Sequence, residues 1–192
     1  LSQFGVPQAR TRYFVIAVHE SVTTADPFKL LESQLPSFLR SLGISAPVSF
    51  ALKHMAKLVT DFQIRYPLVT VDLQLTDRKV DIVEEGFDIA LRIGQLKSSS
   101  LIAKEVAPIR VVLCASPEYL KKHDTLDKPE DLEKHRYLHY SYMNMDAKEE
   151  VYQLLKAKIL KQGSEFLSNN GDVLVEGAIE GAGLVLQPTF IV

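Results

Sequence analysis

LVTVDLQLTDRKVDIVEEGFDIALRIG, residues 68–94, is the stretch that decides the fold. Its first half alternates apolar and polar residues, which predicts a half-buried strand. Its second half predicts a short helix from Asp77 to Gly86 and then a second strand that ends at Gly94. Thr76, Asp77 and Gly94 therefore fall at the carboxyl ends of strands, where open α/β sheets bind their ligands. The stretch predicts a ligand-binding protein.

Composition narrows the class of protein. The 192 residues are 46% hydrophobic and 24% charged, which is ordinary for a soluble globular chain. The net charge of −2 is too small to imply nucleic-acid binding by bulk electrostatics. The single cysteine, Cys114, excludes an internal disulfide framework and favours a reducing compartment. No apolar stretch approaches the ~20 residues of a membrane helix, and no basic and apolar leader opens the chain. We therefore expect a cytoplasmic protein that has no membrane contact.

The rest of the chain alternates between predicted strands and helices. The predicted elements are a strand at 12–19, a helix at 26–42, a strand at 44–50, a helix at 50–66, one or two strands at 102–115, short helices at 117–123 and 129–135, a strand at 136–142, short strands within 143–163, a strand at 164–169, a helix at 171–182 and a strand at 184–192 interrupted at Pro188. This alternation predicts an α/β fold.

Several motifs in consistent order resemble one family. They are APVSF at 46–50, RYP at 65–67, LTDRKVDIVEEGFDIALRIG at 75–94, SSLIAKEVAP at 99–108, NNGD at 169–172 and QPTFIV at 187–192. Together they resemble the effector-binding, or substrate-binding, domain of LysR-type transcriptional regulators. The resemblance implies two α/β lobes of periplasmic-binding-protein type over residues 44–192, with a small effector held between them.

The chain departs from the family pattern at both ends. The winged helix-turn-helix and its linker helix are missing before residue 44, so binding to DNA is expected only through a domain absent from this chain. The family also continues beyond Val192, which predicts that the two-lobed domain is truncated at its C-terminus. Residues 1–43 are expected to be a segment of different origin.

Residues 4–18, FGVPQARTRYFVIAV, look like a motif of cytosine-5 DNA methyltransferases. Gln8, Arg10 and Arg12 match it, and in that family the arginines help to hold the target cytosine and a nearby phosphate. Alternate residues on one face of a strand suit that role. The nucleophile motif and the cofactor loop are absent, so methyl transfer is not expected. An inactive methyltransferase remnant fused to the domain is one alternative reading, and a free-standing solute-binding protein is another.

Candidate effector contacts in the first lobe follow from where strands meet helices. Ser49 begins a predicted helix, where its hydroxyl either binds an anion or acts as an ordinary N-cap. Thr76 is favoured as a ligand contact and Asp77 as the cap of the helix after it. Arg92 either holds an acidic effector through a forked hydrogen bond or pairs with a glutamate at 84 or 85. Phe50 and Gly94 complete this set.

In the second lobe, Gln187 and Thr189 are the favoured contacts. They flank Pro188, which we expect to interrupt strand pairing and leave polar groups facing the effector. Asn169 or Asn170 is expected to cap the helix that follows. The histidines show no metal-ligand spacing, so no metal is predicted. Cys114 is apolar-flanked and is expected to be an inert core thiol.

These expectations combine into a non-enzymatic sensor that needs no cofactor. It is expected to bind a small effector, and an effector with an anionic group would suit the candidate contacts. It is also expected to pair with a second copy as a homodimer or a higher homo-oligomer. The helix at 50–66, through its Met55, Leu58 and Phe62 side, is expected to contribute to the contact between copies as well as to the lobe core. The family resemblance implies pairing through this helix and the helix at 171–182.

Overall fold

A computed structural model describes residues 2–3, 10–18, 41–94, 101–143, 149–163 and 165–192, with the backbone alone for the first two ranges. The strands are β1 Ser2–Gln3, β2 Arg10–Val18, β3 Ser41–Ala46, β4 Thr70–Leu75, β5 Ile89–Ile93, β6 Ile102–Ala115, β7 Tyr137–Tyr140, β8 Phe166–Ser168 and β9 Leu184–Pro188. The helices are α1, which runs through Val48–Phe50, a π-helical Ala51–Met55 and Ala56–Arg65, then α2 Pro117–Lys122, a 3₁₀ helix Pro129–Lys134, α3 Glu150–Gln162 and α4 Gly171–Ile179.

The chain divides into two compact units. One is Arg12–Pro108, and the other is Ile109–Val192 together with Leu1–Thr11. We call them the first unit and the second unit.

In the first unit the strand order is β4, β3, β5, β2. Strand β3 lies parallel to both β4 and β5, while β2 pairs antiparallel with β5. Helix α1 connects β3 to β4, as parallel pairing requires a crossover. The carboxyl ends of the three parallel strands therefore meet at one edge of the sheet.

The core of the first unit lies between this sheet and α1. Ala51 and Met55 of the helix are buried against Ile44 and Ala46 of β3. Val59, Phe62 and Tyr66 continue the same face at helical spacing and pack against the cluster. Met55 is 1% exposed, so its predicted place in the core is confirmed and its predicted place in a contact between copies is wrong.

The junction of β3 and α1 differs from the sequence prediction. The strand ends at Ala46 and the helix begins at Val48, whereas the sequence predicted a strand to Phe50. Pro47 explains the difference, because it has no N–H to continue the ladder and its φ of −64° suits a helix start. Pro47 is the N-cap residue, so the N-cap reading of Ser49 is wrong.

The predicted helix after Asp77 is a single turn. The Glu85 N–H bonds to the Asp81 carbonyl, and the turn ends at Gly86 with a φ of +71°. The Asp81 carboxylate accepts the N–H groups of Val83 and Glu84. Such side-chain bonds compete with helix continuation, so the segment remains a short capped turn.

The predicted helix at 26–42 is only partly testable. Ser41 and Leu42 belong to β3, so its last two residues are wrong. The remainder of the segment lies outside the described residues.

In the second unit, β9 lies between β6 and β7, and β8 lies beyond β7. Strands β6 and β9 are antiparallel, while β7 is parallel to both β8 and β9. The short strand β1 pairs antiparallel with the end of β6.

The preference for short strands within 143–163 is wrong, because Glu150–Gln162 is a helix. Val151, Tyr152 and Leu155 face one cluster at helical spacing, and a short apolar run alone does not distinguish the two periods.

A histidine is buried in the second unit. His135 is 1% exposed, its Nδ1 lies 3.3 Å from the Tyr119 hydroxyl, and its Nε2 is buried without a hydrogen-bond partner. The same hydroxyl accepts the Arg136 N–H at 3.0 Å. Burial, and then the nearby His123, lower the pKa of His135 below its ordinary value. This shift favours the neutral form of the ring in the folded protein.

We expect the protein to lose stability on mild acidification, because the unfolded chain binds a proton at His135 before the folded chain does. The loss begins as the pH falls through about 6.5 and grows until the lowered folded pKa is reached. The urea midpoint should therefore be lower at about pH 5.5 than at about pH 7.5. His135→Phe should reduce this difference, and His54→Phe, at an exposed position, should not. An unchanged pH dependence in His135→Phe would contradict the assignment.

Candidate functional site at the strand ends of the first unit

The carboxyl ends of β3, β4 and β5 form the candidate site. Ala46 pairs with Leu75 at the end of the β3–β4 ladder, and the Thr76 N–H still bonds to the Ala46 carbonyl at 2.9 Å. Because the strands are parallel, the residues that follow each of them lie at this edge. We call this edge the strand-end site.

Asp77 caps α1 across the site. Its Oδ1 accepts the Val48 N–H at 2.9 Å, which is the first N–H of that helix. No side chain of the N-cap residue does this, because the N-cap is Pro47. Asp77 was predicted to cap the segment after it, and that prediction is wrong. A carboxylate at a helix N-terminus satisfies a backbone donor and interacts favourably with the helix dipole.

Thr76 lies half-buried beside this cap. Its hydroxyl oxygen accepts the Arg78 N–H at 3.2 Å, which forms a tight local turn. The hydroxyl hydrogen is left to donate to another group. Ligand contact by Thr76 stays a prediction.

Arg92 is the cation of the strand-end site. Its Nη2 donates to the Ser45 hydroxyl at 2.8 Å, and its Nη1 donates to the Leu91 carbonyl at 2.6 Å. Ser45 is fully buried in β3, so it holds the half-buried guanidinium against the sheet. Burial lowers the pKa of Arg92, and the nearby Asp77 carboxylate opposes this effect. An arginine side chain nevertheless remains protonated.

Arg92 has no carboxylate partner within ion-pair distance among the residues that the structure describes. The predicted alternative, an ion pair with Glu84 or Glu85, is wrong. Glu85 instead accepts two bonds from the Arg78 guanidinium, at 3.1 and 2.8 Å. This exposed pair lowers the pKa of Glu85 through its hydrogen bond to Arg78.

Three other predicted effector contacts of the first unit follow β3 or β5 in the chain: Ser49, Phe50 and Gly94. Ser49 is the second residue of α1 and is 7% exposed, and the ring of Phe50 lies 4.7 Å from that of His54. Gly94 follows β5 with a φ of +141°, a conformation that side chains with a Cβ rarely adopt. Apart from the chain neighbours of Gly94, no described residue has an atom within 4 Å of the position where a Cβ would stand. The described residues therefore leave room for a ligand to approach this backbone.

In the second unit, Gln187 is the polar residue of interest. It is 3% exposed, and its Nε2 is buried with no hydrogen-bond partner among the described residues. Its Oε1 would lie 3.0 Å from a Cβ at Gly171, the first residue of α4. A buried amide donor without a partner is costly, so it favours a polar molecule nearby.

Pro188 does not interrupt strand pairing as predicted. It still lies opposite Val111 as the last residue of β9, and the next N–H, that of Thr189, bonds to the Arg110 carbonyl at 2.9 Å. The pairing survives because the absent proline N–H is not needed at this register position. Thr189 itself is exposed.

Two smaller expectations for the second unit are confirmed. Asn170 caps α4, with its side-chain oxygen accepting the Val173 N–H at 3.0 Å. The Cys114 thiol is buried, and burial raises its pKa to about 11, so it is protonated and unreactive at neutral pH.

The structure describes only part of the segment that matches the methyltransferase motif. Gln8 lies outside the described residues. Arg10 and Arg12 belong to β2, of which only the backbone is described.

In the described ranges, no group of three or more histidine, cysteine, aspartate or glutamate side chains could hold a metal ion. Within the same ranges, none of the helices combines the length and the apolarity needed to cross a bilayer.

Sequence reasoning missed two roles at this site. Ser45 was not singled out, although a hydroxyl inside the otherwise apolar part of β3 is a recognisable feature. The cap by Asp77 joins residues 29 positions apart and has no local pattern.

The chain matches one family model and is similar to several solved structures. The family model described as the LysR substrate binding domain matches residues 38–192. The chain belongs to the LysR substrate-binding domain family. The expected fold class, an α/β domain of periplasmic-binding-protein type with two lobes, is confirmed by similar solved structures of LysR regulatory domains.

Individual relatives agree with the family. A Haemophilus influenzae protein, described as an uncharacterized HTH-type transcriptional regulator, is 32% identical over 83% of this chain and 56% of its own length. The HTH-type transcriptional activator TtdR of Escherichia coli K12 is 28% identical over 76% of this chain and 47% of its own. The solved regulatory domain of CrgA, a LysR-type transcriptional regulator from Neisseria meningitidis, is 28% identical with a TM-score of 0.62, over 79% of this chain and 74% of that domain.

The LysR-family chain spans about half the length of the curated relatives it matches. The matched region is the substrate-binding region, so the chain carries the effector-binding domain of such regulators. The likeness of residues 4–18 to a methyltransferase motif receives no support from these matches.

The Asp77 cap predicts a measurable loss of stability. Asp77→Ala leaves the Val48 N–H without its acceptor and should lower the free energy of unfolding by about 1 kcal/mol. Asp77→Asn keeps an acceptor oxygen and should lose less. Asp72→Ala, which removes an exposed carboxylate earlier on β4, should change stability by less than about 0.5 kcal/mol. Equal stability of Asp77→Ala and the parent chain in urea unfolding would show that the cap contributes nothing.

Proposed function

We propose that this chain is the sensing domain of a LysR-type transcriptional regulator and that its effector is a small molecule with an anionic group. The observation that carries the proposal is Arg92, a half-buried cation at the carboxyl ends of parallel strands that lacks a carboxylate partner among the described residues.

The physical argument concerns the cost of burying a charge. A cation withdrawn from water is stabilised by an opposite charge, and a carboxylate supplies both that charge and acceptors for the guanidinium. Ser45 and Leu91 take two N–H groups of Arg92, which leaves other donors of its five for a ligand. The anchoring by Ser45 also fixes the guanidinium, so less freedom is lost on binding.

The remaining contacts of the proposal come from each unit separately. In the first unit, Ser49, Phe50, Thr76 and Gly94 are the proposed neighbours of the effector. In the second unit, Gln187, Pro188 and Thr189 are proposed to contribute, and the partnerless Nε2 of the buried Gln187 supports this part.

The mechanism we propose is a shift in population and involves no chemical reaction. An effector that binds one arrangement of the domain more tightly than another moves the equilibrium toward the first. In the whole regulator, that shift would change how a helix-turn-helix domain meets DNA. The proposed role implies a cytoplasmic location, because such a regulator must reach DNA, and it requires no metal or cofactor.

Arg92→Gln should weaken binding of anionic ligands at least about tenfold, because the amide removes the charge while keeping similar size and donors. Carboxylates found in a thermal-shift screen would be measured by calorimetry. Arg65→Gln removes an exposed arginine from the far end of α1 and is the matched control, which should bind as the parent does. Parent-like affinity of Arg92→Gln for every ligand found would place the anion elsewhere.

We also propose that the domain associates with a second copy through α1 and α4, as the family resemblance implies. Large apolar side chains lie on the exposed surface of both helices, which favours association. They are Leu52, Leu58 and Ile64 on α1 and Val173 and Ile179 on α4. Leu52 and Ile64 are 67% and 75% exposed, so they replace the buried Met55 in this proposal.

The double variant Leu52→Lys with Ile64→Lys should shift the chain toward monomer, because lysines oppose burial in an apolar contact. Analytical ultracentrifugation over a range of concentrations measures this. Leu160→Lys is the control, since Leu160 is 77% exposed on α3 and outside the proposed contact. A double variant that associates as strongly as the parent would contradict the role of α1.

A further inference from the structure

We propose that the effector is a zwitterion of the amino-acid type, whose carboxylate meets Arg92 and whose ammonium group meets Asp77, because these opposite charges flank the end of β3 from its two neighbouring strands. This inference rests on the proposed function, since it names the chemical class of the effector for the same strand-end site.

The first step is the placement of the two charges. Strand β3 lies between β4 and β5, and all three run parallel. From the end of β4, Asp77 reaches the Val48 N–H just beyond β3. From β5, Arg92 reaches the hydroxyl of Ser45 within β3. Both side chains thus converge on the same short segment, residues 45–48.

The second step is that the two charges do not satisfy each other. No ion pair joins Asp77 and Arg92, although the carboxylate lies near enough to raise the pKa of Arg92 against the effect of burial. Only Oδ1 of Asp77 takes part in a hydrogen bond with a described residue. Its second oxygen and the remaining N–H groups of Arg92 are available to a ligand.

The third step concerns the kind of ligand that suits both groups. A plain carboxylate gains the attraction of Arg92 but is repelled by Asp77, and a plain amine meets the reverse situation. A molecule with both charges forms a charge-assisted hydrogen bond with each side chain. Each of its charges then lies next to the side chain of opposite charge. Opposing charges therefore discriminate by repulsion as well as by attraction.

The experiment compares amino acids with their deaminated counterparts on the full chain. Matched pairs such as glutamate with glutarate, leucine with 4-methylpentanoate and phenylalanine with 3-phenylpropanoate are screened by thermal shift and then measured by calorimetry. We expect the amino acid of the preferred pair to bind at least about tenfold more tightly than its deaminated counterpart.

Two variants test whether the charge of Asp77 causes the preference for the amino acid over its deaminated counterpart. Asp77→Asn keeps an acceptor for the Val48 N–H but removes the charge, so it should reduce the preference for the amino acid to less than about threefold without weakening the deaminated acid. Asp72→Asn, which removes an exposed carboxylate from the same strand, should keep the preference. A circular dichroism spectrum identical to the parent's establishes that each variant is folded.

Each outcome decides something. Deaminated acids that bind as tightly as their amino acids, with Arg92 required, overturn the zwitterion and leave the proposed function standing. A preference for the amino acid that survives in Asp77→Asn overturns the role of Asp77 and with it this inference. A folded chain that binds no carboxylate at all overturns the proposed function and the inference together.

Discussion

The hydrogen bond from the Val48 N–H to the Asp77 carboxylate organises the first unit. It joins the start of α1 to the end of β4, so the helix and two strands meet at one point. The helix begins after a proline that offers no side-chain cap, and the carboxylate supplies what the local sequence lacks. The same interaction holds a negative charge at the edge where ligands of α/β sheets bind.

Strand β3 helps to position the second charge at that edge, the Arg92 guanidinium of β5. It is a central strand, and most central strands of parallel sheets are apolar on both faces. Ser45 is an exception, and its hydroxyl accepts a hydrogen bond from Arg92. Burial of the hydroxyl is tolerated because it is hydrogen-bonded, and the arginine is positioned because its partner lies on a buried strand. The buried strand and the half-buried cation therefore stabilise each other.

Polar groups in the second unit find their hydrogen-bond partners in a different way. Asn170 satisfies the start of α4 locally, and the Tyr119 hydroxyl links a buried histidine to the backbone of Arg136. Among the described residues, the Gln187 amide keeps a buried donor without a hydrogen-bond partner, and His135 keeps a buried ring nitrogen without one. Unmet buried donors are uncommon, which is why Gln187 is a reasonable ligand contact.

The sequence by itself determined strands β4 and β5, the cap at Asn170 and the family to which the chain belongs. These follow from local periodicity, from capping residues and from motifs in a fixed order. Local patterns failed at Glu150–Gln162, where a short apolar run suits two periods, and after Asp77, where side-chain bonds end a helix early. Only the tertiary structure decided that Asp77 caps α1 and that Arg92 bonds to Ser45, 47 positions away. The physical reason is that these partners are set by the parallel register of β3 with β4 and β5, which no local pattern encodes.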